Sequence, residues 1–206
     1  MRKTKEDTQI TKDQILRGSF ECFANRGYDW TTIERVAKQV GVSRGTIYWH
    51  FSDKKALYRA TVDYVIAHAD MGVYARQLPQ TMPLETCLVD IFHLIIRDNK
   101  YVDFEYKAIA FASDKEEFRD TIDNLVDMKR RLYDFFWEKC DQQITARYLT
   151  GENPSFYADA LFLLLEGMFM TKNLNLPISL SGDWIQKHVH ATIAPLVEEQ
   201  EQAATE

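Results

Sequence analysis

The stretch Val40–Tyr58, VGVSRGTIYWHFSDKKALY, brings Arg44, Tyr48, Trp49, His50 and Lys54 into one short span. Aromatic side chains usually enter a core and cations usually stay out. A surface that holds all five suits a flat, polar, negatively charged partner. Just upstream, Ile33, Val36, Ala37 and Val40 recur at helical spacing. Thr31 and Glu34 have the T-x-x-E spacing of a capping box, and Gly41 suits a left-handed helix C-cap. Ser43 can cap a further short helix over about 44–50, with Val42 plugging the turn. The pattern predicts a helix-turn-helix over about 32–50.

The same reading extends outward in both directions. Eight Gly and five Pro in 206 residues leave few breaks and favour long helices. Apolar residues at helical spacing predict a first helix over 11–26, stopped by Gly27. A fourth starts at a Ser52 or Asp53 cap and runs to about 76. Others cover about 83–97, opened by Pro83, and 100–112. A long helix starts at a second capping box, Ser113 and Glu116, and extends towards Leu149. Asn153–Pro154 opens a helix over 154–174, and Ser181 or Asp183 opens the last, 182–197. No strand-length alternation, internal repeat or low-complexity linker interrupts them. The fold class is all-α, with about nine helices. An N-terminal three-helix domain, 1–52, precedes a helical domain, 53–206.

Charge is unevenly distributed. Residues 1–59 carry 12 Lys and Arg against 7 Asp and Glu, whereas 60–206 carry 13 against 24. A basic end on an acidic body points to a polyanion partner for that end. No apolar run reaches the roughly 18–20 residues of a membrane span. The charged opening MRKTKEDTQITKDQIL lacks an apolar signal block, so the expectation is a cytoplasmic protein without a membrane partner. Cys22, Cys87 and Cys140 lie far apart in apolar helical patterns, as buried, inert thiols do. His188 and His190 point about 200° apart on a helix and His50 has no partner ligand at helical spacing, so no metal is expected. No nucleophile elbow, glycine-rich phosphate loop or HExxH helix occurs, so neither catalytic residues nor a cofactor are expected.

A helix-turn-helix places its second helix in the major groove of double-stranded DNA. Arg44 can bond two acceptors on a guanine edge, and Thr46 offers a hydroxyl or a methyl. Gly45 allows close backbone approach, while Tyr48 and His50 can donate to phosphates and Lys54 adds a point charge. Ile47 and Phe51 are core, and Trp49 suits either the core or the groove. The full DNA-facing set is Thr31, Thr32, Ser43, Arg44, Gly45, Thr46, Tyr48, Trp49, His50 and Lys54.

Within this set, the G-V-S-x-G-x-x-Y-x-H-F-x-x-K pattern in TTIERVAKQVGVSRGTIYWHFSDKKALY resembles the DNA-binding signature of the TetR/AcrR family of one-component bacterial repressors. The likeness covers about residues 12–58. It departs at Gly18–Ser19, where the family usually has alanines. The RKTKE start and the Y-W-H-F run look most like the AcrR-type branch that controls multidrug efflux pumps. The resemblance implies a body that binds a small molecule and a homodimer formed by the last two helices on a pseudo-palindromic operator. A hydrophobic or amphipathic inducer would release such a repressor. The alternative is a regulator of lipid metabolism, or a global regulator, that senses an acyl chain or other metabolite. Candidate pocket residues are Phe104, Phe111, Tyr133, Trp137, Phe162 and Phe169, each of which also suits plain core, and the polar His93, Glu105 and Glu166 set in apolar stretches.

Overall fold

The structure is a computed structural model that describes residues 5–79, 81–97, 100–147, 152–174 and 176–197. These form α1 (Lys5–Arg26), α2 (Ile33–Val40), α3 (Arg44–His50), α4 (Lys54–Ala69) and α5 (Met71–Arg76). After them come α6 (Leu84–Ile96), α7 (Lys100–Ala112), a 3-10 turn (Glu116–Phe118), α8 (Arg119–Ala146), α9 (Pro154–Asn173) and α10 (Gly182–Val197). The fold is all-helical, with no strand among the described residues. No helix there is long and apolar enough to cross a membrane.

The chain divides into two compact units. One comprises residues 1–69 and 100–127, the other 70–99 and 128–206. The sequence reading draws its boundary at 52/53, whereas packing groups α4, α7 and the start of α8 with the N-terminal helices.

The reason is an aromatic core in the first unit. Tyr28, just after α1, packs at ring-centroid distances of 5.0 Å from Tyr58, 4.7 Å from Phe111 and 5.5 Å from Phe118. Phe20 meets Phe104 edge-on at 5.5 Å and stacks on Tyr101 at 4.6 Å. Ile15, Phe23, Val36, Ile47, Leu57 and Val62 are fully buried around them. Arg59 on α4 donates to the Glu117 carbonyl, and Asn124 donates to Asp63 at 3.1 Å. These contacts bind α4 to the 100–127 segment.

In the second unit α6 packs on α10 and α9, and Phe92 meets Phe136 at 6.1 Å. Leu88, Ile91, Leu161, Val189 and Ile193 complete its core. Short α5 lies directly on α8: a Cβ at Gly72 would fall 2.6 Å from the carbonyl carbon of Arg131. Only glycine permits that backbone approach.

Several local expectations change. The predicted helix 53–76 breaks at Asp70, giving ten α-helices instead of nine among the described residues. Asp70 is extended, its Oδ1 accepts from the Val73 amide, and its Oδ2 accepts from Arg131 Nε at 2.6 Å. The N-cap of α2 is Thr32, not Thr31: its hydroxyl accepts from the Arg35 amide at 3.3 Å. The capping box at Ser113 and Glu116 does not form. A turn and then the 3-10 segment occupy that place, with Lys115 at the cap position and no side-chain cap. The predicted stripe position Tyr148 lies outside the described residues. Asp53, Asn153 and Ser181 do accept from the first-turn amides of α4, α9 and α10.

Candidate nucleic-acid interface

The turn before α3 is built from three local devices. Gly41 has φ 75°, a left-handed conformation that costs other residues steric energy. Its amide and that of Val42 both bond the Ala37 carbonyl and close α2. Ser43 Oγ then accepts from the Thr46 amide at 3.0 Å and starts α3. From beneath, Ile47 is fully buried and Phe51 nearly so. One side of α3 is thereby fixed in the core.

The other side faces outward. Tyr48 and Trp49 are exposed, Trp49 at 69% of its surface, which decides its assignment against the core. Its ring meets His50 edge-on at 4.6 Å. Ser43, Gly45, Thr46, Trp49 and His50 line a groove of about 620 Å³ together with Thr8 and Thr11 of α1. A Cβ at Gly45 would meet only Ser43 Oγ, at 3.6 Å, so nothing inside the chain requires glycine there. Arg44 Nη1 pairs with Glu34 Oε1 across the turn at 3.0 Å. The Glu34 carboxyl is held below its ordinary pKa by its own backbone amide, then the Thr32 hydroxyl, and also by Arg44.

Two of the predicted contact residues have other duties. Thr31 is fully buried and its hydroxyl donates to the carbonyls of Gly27, at 2.8 Å, and Cys22, at 3.2 Å. It anchors the loop to α1 and cannot reach DNA, which corrects its assignment. Lys54 donates to the Tyr28 carbonyl at 3.0 Å and lies 4.1 Å above the Tyr28 ring. Its charge sits at the start of α4, yet one hydrogen bond is already committed. Thr32 remains outward, at the N-terminus of α2.

The sequence reading overlooks Thr8, Thr11, Glu34 and Trp30. Trp30 is 77% exposed and makes no hydrogen bond or ring contact among the described residues. Thr8 and Thr11 lie three apart, on one helix face.

The candidate pocket residues fall in both units. Phe104 and Glu105 are buried in the first unit, and Phe111 belongs to the Tyr28 aromatic cluster there. In the second unit Tyr133 donates to Asp159 at 2.8 Å and meets Phe162 edge-on at 5.9 Å. Trp137 donates to Ser155 at 3.2 Å, and Lys129 pairs with Glu166 at 2.8 Å. These α8–α9 pairs run along one antiparallel seam. Phe169 is core, and His93 abuts Gly182, where a Cβ would lie 3.2 Å from its ring. Glu166, set in an apolar stretch, is thus paired with Lys129 of the same chain.

Comparison with known proteins matches residues 15–61 to the model described as bacterial regulatory proteins, tetR family. Over 63 residues the chain is 43% identical to the HTH-type transcriptional regulator TtgR of Pseudomonas putida, covering 31% of this chain and 30% of that protein. The match thus spans under a third of the relative's length. Among solved structures, a TetR-family regulator from Mesorhizobium loti superposes with TM-score 0.71 at 22% identity, over 94% of this chain and 97% of that one. NalD, the secondary repressor of the MexAB-OprM multidrug efflux pump in Pseudomonas aeruginosa, gives TM-score 0.59 at 21% identity, over 93% and 96%. The shared fold runs almost end to end, while close sequence likeness is confined to the helix-turn-helix. Residues 15–61 thus match the N-terminal DNA-binding domain of the tetR family of bacterial regulatory proteins, and the likeness over the rest of the chain is one of fold.

Proposed function

We propose that the chain is a cytoplasmic, ligand-released repressor of a multidrug efflux system. It binds a pseudo-palindromic operator as a homodimer. The observation that carries DNA binding is α3 itself: Ile47 is sealed in the core while Trp49, Tyr48, Gly45 and Arg44 stand outside it. An aromatic, cationic face with an unneeded glycine matches a phosphate-lined groove.

A second copy accounts for α9. Phe156, Leu163 and Met170 lie seven residues apart and are all exposed. Gly167 lies on the same face, and a Cβ there would meet nothing within 4 Å. An apolar stripe with a small residue at its centre suits a helix packed against its own symmetry mate, with α10 beside it. Two α3 helices then read half-sites about 34–36 Å apart, or a multiple of that. Efflux control rests on the AcrR-like motif and on the fold shared with NalD. An amphipathic or hydrophobic inducer acts on α4, which starts four residues after α3 ends and carries it. A coupling of about 1–3 kcal/mol weakens operator binding roughly 5- to 150-fold.

Fluorescence anisotropy with the chain's own promoter region and with random DNA tests this directly. The promoter should be preferred, and Arg44→Ala should lose about 1–3 kcal/mol of that preference. Equal binding to both DNAs ends the reading. A panel of efflux substrates should raise the melting temperature and release the DNA. If none does, only the multidrug part falls.

A further inference from the structure

Glu34 is out of place on a surface meant for phosphates. It lies in the first turn of α2, exposed, and its carboxylate reaches across the turn to the first residue of α3. The Arg44 and Glu34 side chains are 58% and 53% exposed, and ion pairs that open to solvent add little to folding. A first-turn carboxylate favours the N-terminus of α2, but that role does not require it to meet Arg44. Nor is the side chain loose. Its carboxylate lies 3.0 Å from Arg44 Nη1 across the turn.

We propose that Glu34 sets operator specificity by holding the Arg44 guanidinium for a guanine edge and denying it to the phosphate backbone. This rests on the DNA-binding reading above. The guanidinium is planar and carries five N–H donors. Its Nη1 lies 3.0 Å from Glu34 Oε1, an ion pair that draws that end of the guanidinium towards α2 and away from the phosphates. The other donors stay available for guanine O6 and N7, which demand two bonds in one plane. A phosphate, by contrast, accepts a guanidinium from many directions. A free Arg44 would take whichever phosphate came first, on any sequence. Paired with Glu34, it brings no net charge to a non-specific site, so it displaces no counterion there. Glu34 is thus a positioning residue: it acts through Arg44 and touches no base itself.

The test uses the full chain. A preferred site is selected from random DNA by the wild type. Affinity for it and for a scrambled duplex is then measured over a range of salt for wild type, Glu34→Ala, Glu34→Gln, Arg44→Ala and the double variant Glu34→Ala/Arg44→Ala. Glu34→Ala should bind scrambled DNA more tightly, with a salt slope steeper by about 0.9. Its specificity ratio should fall about tenfold, within the range of one bidentate contact. Glu34→Gln keeps an acceptor without the charge, so it should retain most of the guanine preference while gaining non-specific affinity. Replacing the site's guanines by 7-deazaguanine removes N7. That change should weaken wild type several-fold more than Glu34→Ala, a difference a merely structural role would not produce. An unchanged specificity ratio in Glu34→Ala overturns the proposal, as does an equal further loss when the same change is made in Arg44→Ala. Failure of the wild type to select any site is a different result, because it removes the DNA-binding reading itself.

Discussion

Thr31 turns its hydroxyl into the carbonyls of Gly27 and Cys22, while Thr32 next to it turns out and caps α2. The two substitutions therefore separate. Thr31→Val removes a buried hydrogen bond and should cost about 1–2 kcal/mol of stability in chemical denaturation. The folded variant should hold its DNA affinity. Thr32→Ala should cost about 1 kcal/mol as a lost cap and should weaken DNA binding as well. Cys140 gives a pH prediction. Burial pushes its thiol from 9.0 up to about 12, and burial with the Glu152 hydrogen bond pushes Tyr157 from 10.0 up to about 12. Both groups lose their protons earlier in the unfolded chain. Their stabilising contribution is whole below pH 9, and it is lost as pH rises towards 12. Urea midpoints should fall steadily over that window, and less steeply in Cys140→Ala. The outward face of α3 was legible at this scale because Gly41, Ser43 and Ile47, which shape it, lie within a few residues of each other. Thr31 was misread because its partners are carbonyls nine and four residues away, and a Thr-Thr pair does not say which of the two turns inward.

The junction of α4 and α5 was not legible at all. Val65, Ile66, Ala69 and Val73 continue one apolar stripe across it, and no proline or glycine stands at Asp70. The break comes from α8, sixty residues on. Arg131 claims the Asp70 carboxylate, and the backbone at Arg131 and Leu132 leaves room only for a glycine at position 72. Local periodicity cannot carry such information, because the deciding partner lies far along the chain. Gly72→Ala should force α5 off α8 at a cost of about 1–3 kcal/mol, read from the denaturation midpoint. Asp70→Asn keeps the oxygen that caps Val73 and gives up only the ion pair, so it should cost less. If Gly72→Ala is instead neutral, α5 does not rest on α8 as described. The aromatic residues of the body divide for a related reason. Phe104 and Phe169 satisfy the same helical spacing as Tyr133 and Trp137, and only their distant neighbours turn the first two into core.

For the whole molecule, the α9 stripe sets what can be measured. Leu163→Glu places a charge at its centre without touching the core of the chain that carries it, since Leu163 is 69% exposed. Sedimentation should show a dimer for the wild type and a monomer for the variant, with circular dichroism unchanged. Operator affinity should drop by about 100-fold or more, because one recognition helix must then act alone. The all-helical class was legible over the whole length, since almost every helix shows its period and most show a cap. The grouping of those helices was not. The unit that carries the helix-turn-helix gathers residues 1–69 and 100–127, two pieces of chain separated by thirty residues that belong elsewhere. Such a unit cannot travel as a cassette. A gene fusion that grafts only the first sixty residues onto another regulator would leave Tyr28 and Tyr58 facing water where Phe104, Phe111 and Phe118 should be. Exchange of operator preference between relatives must therefore proceed by point changes on α3 and its flanks, or by recombination at two places at once.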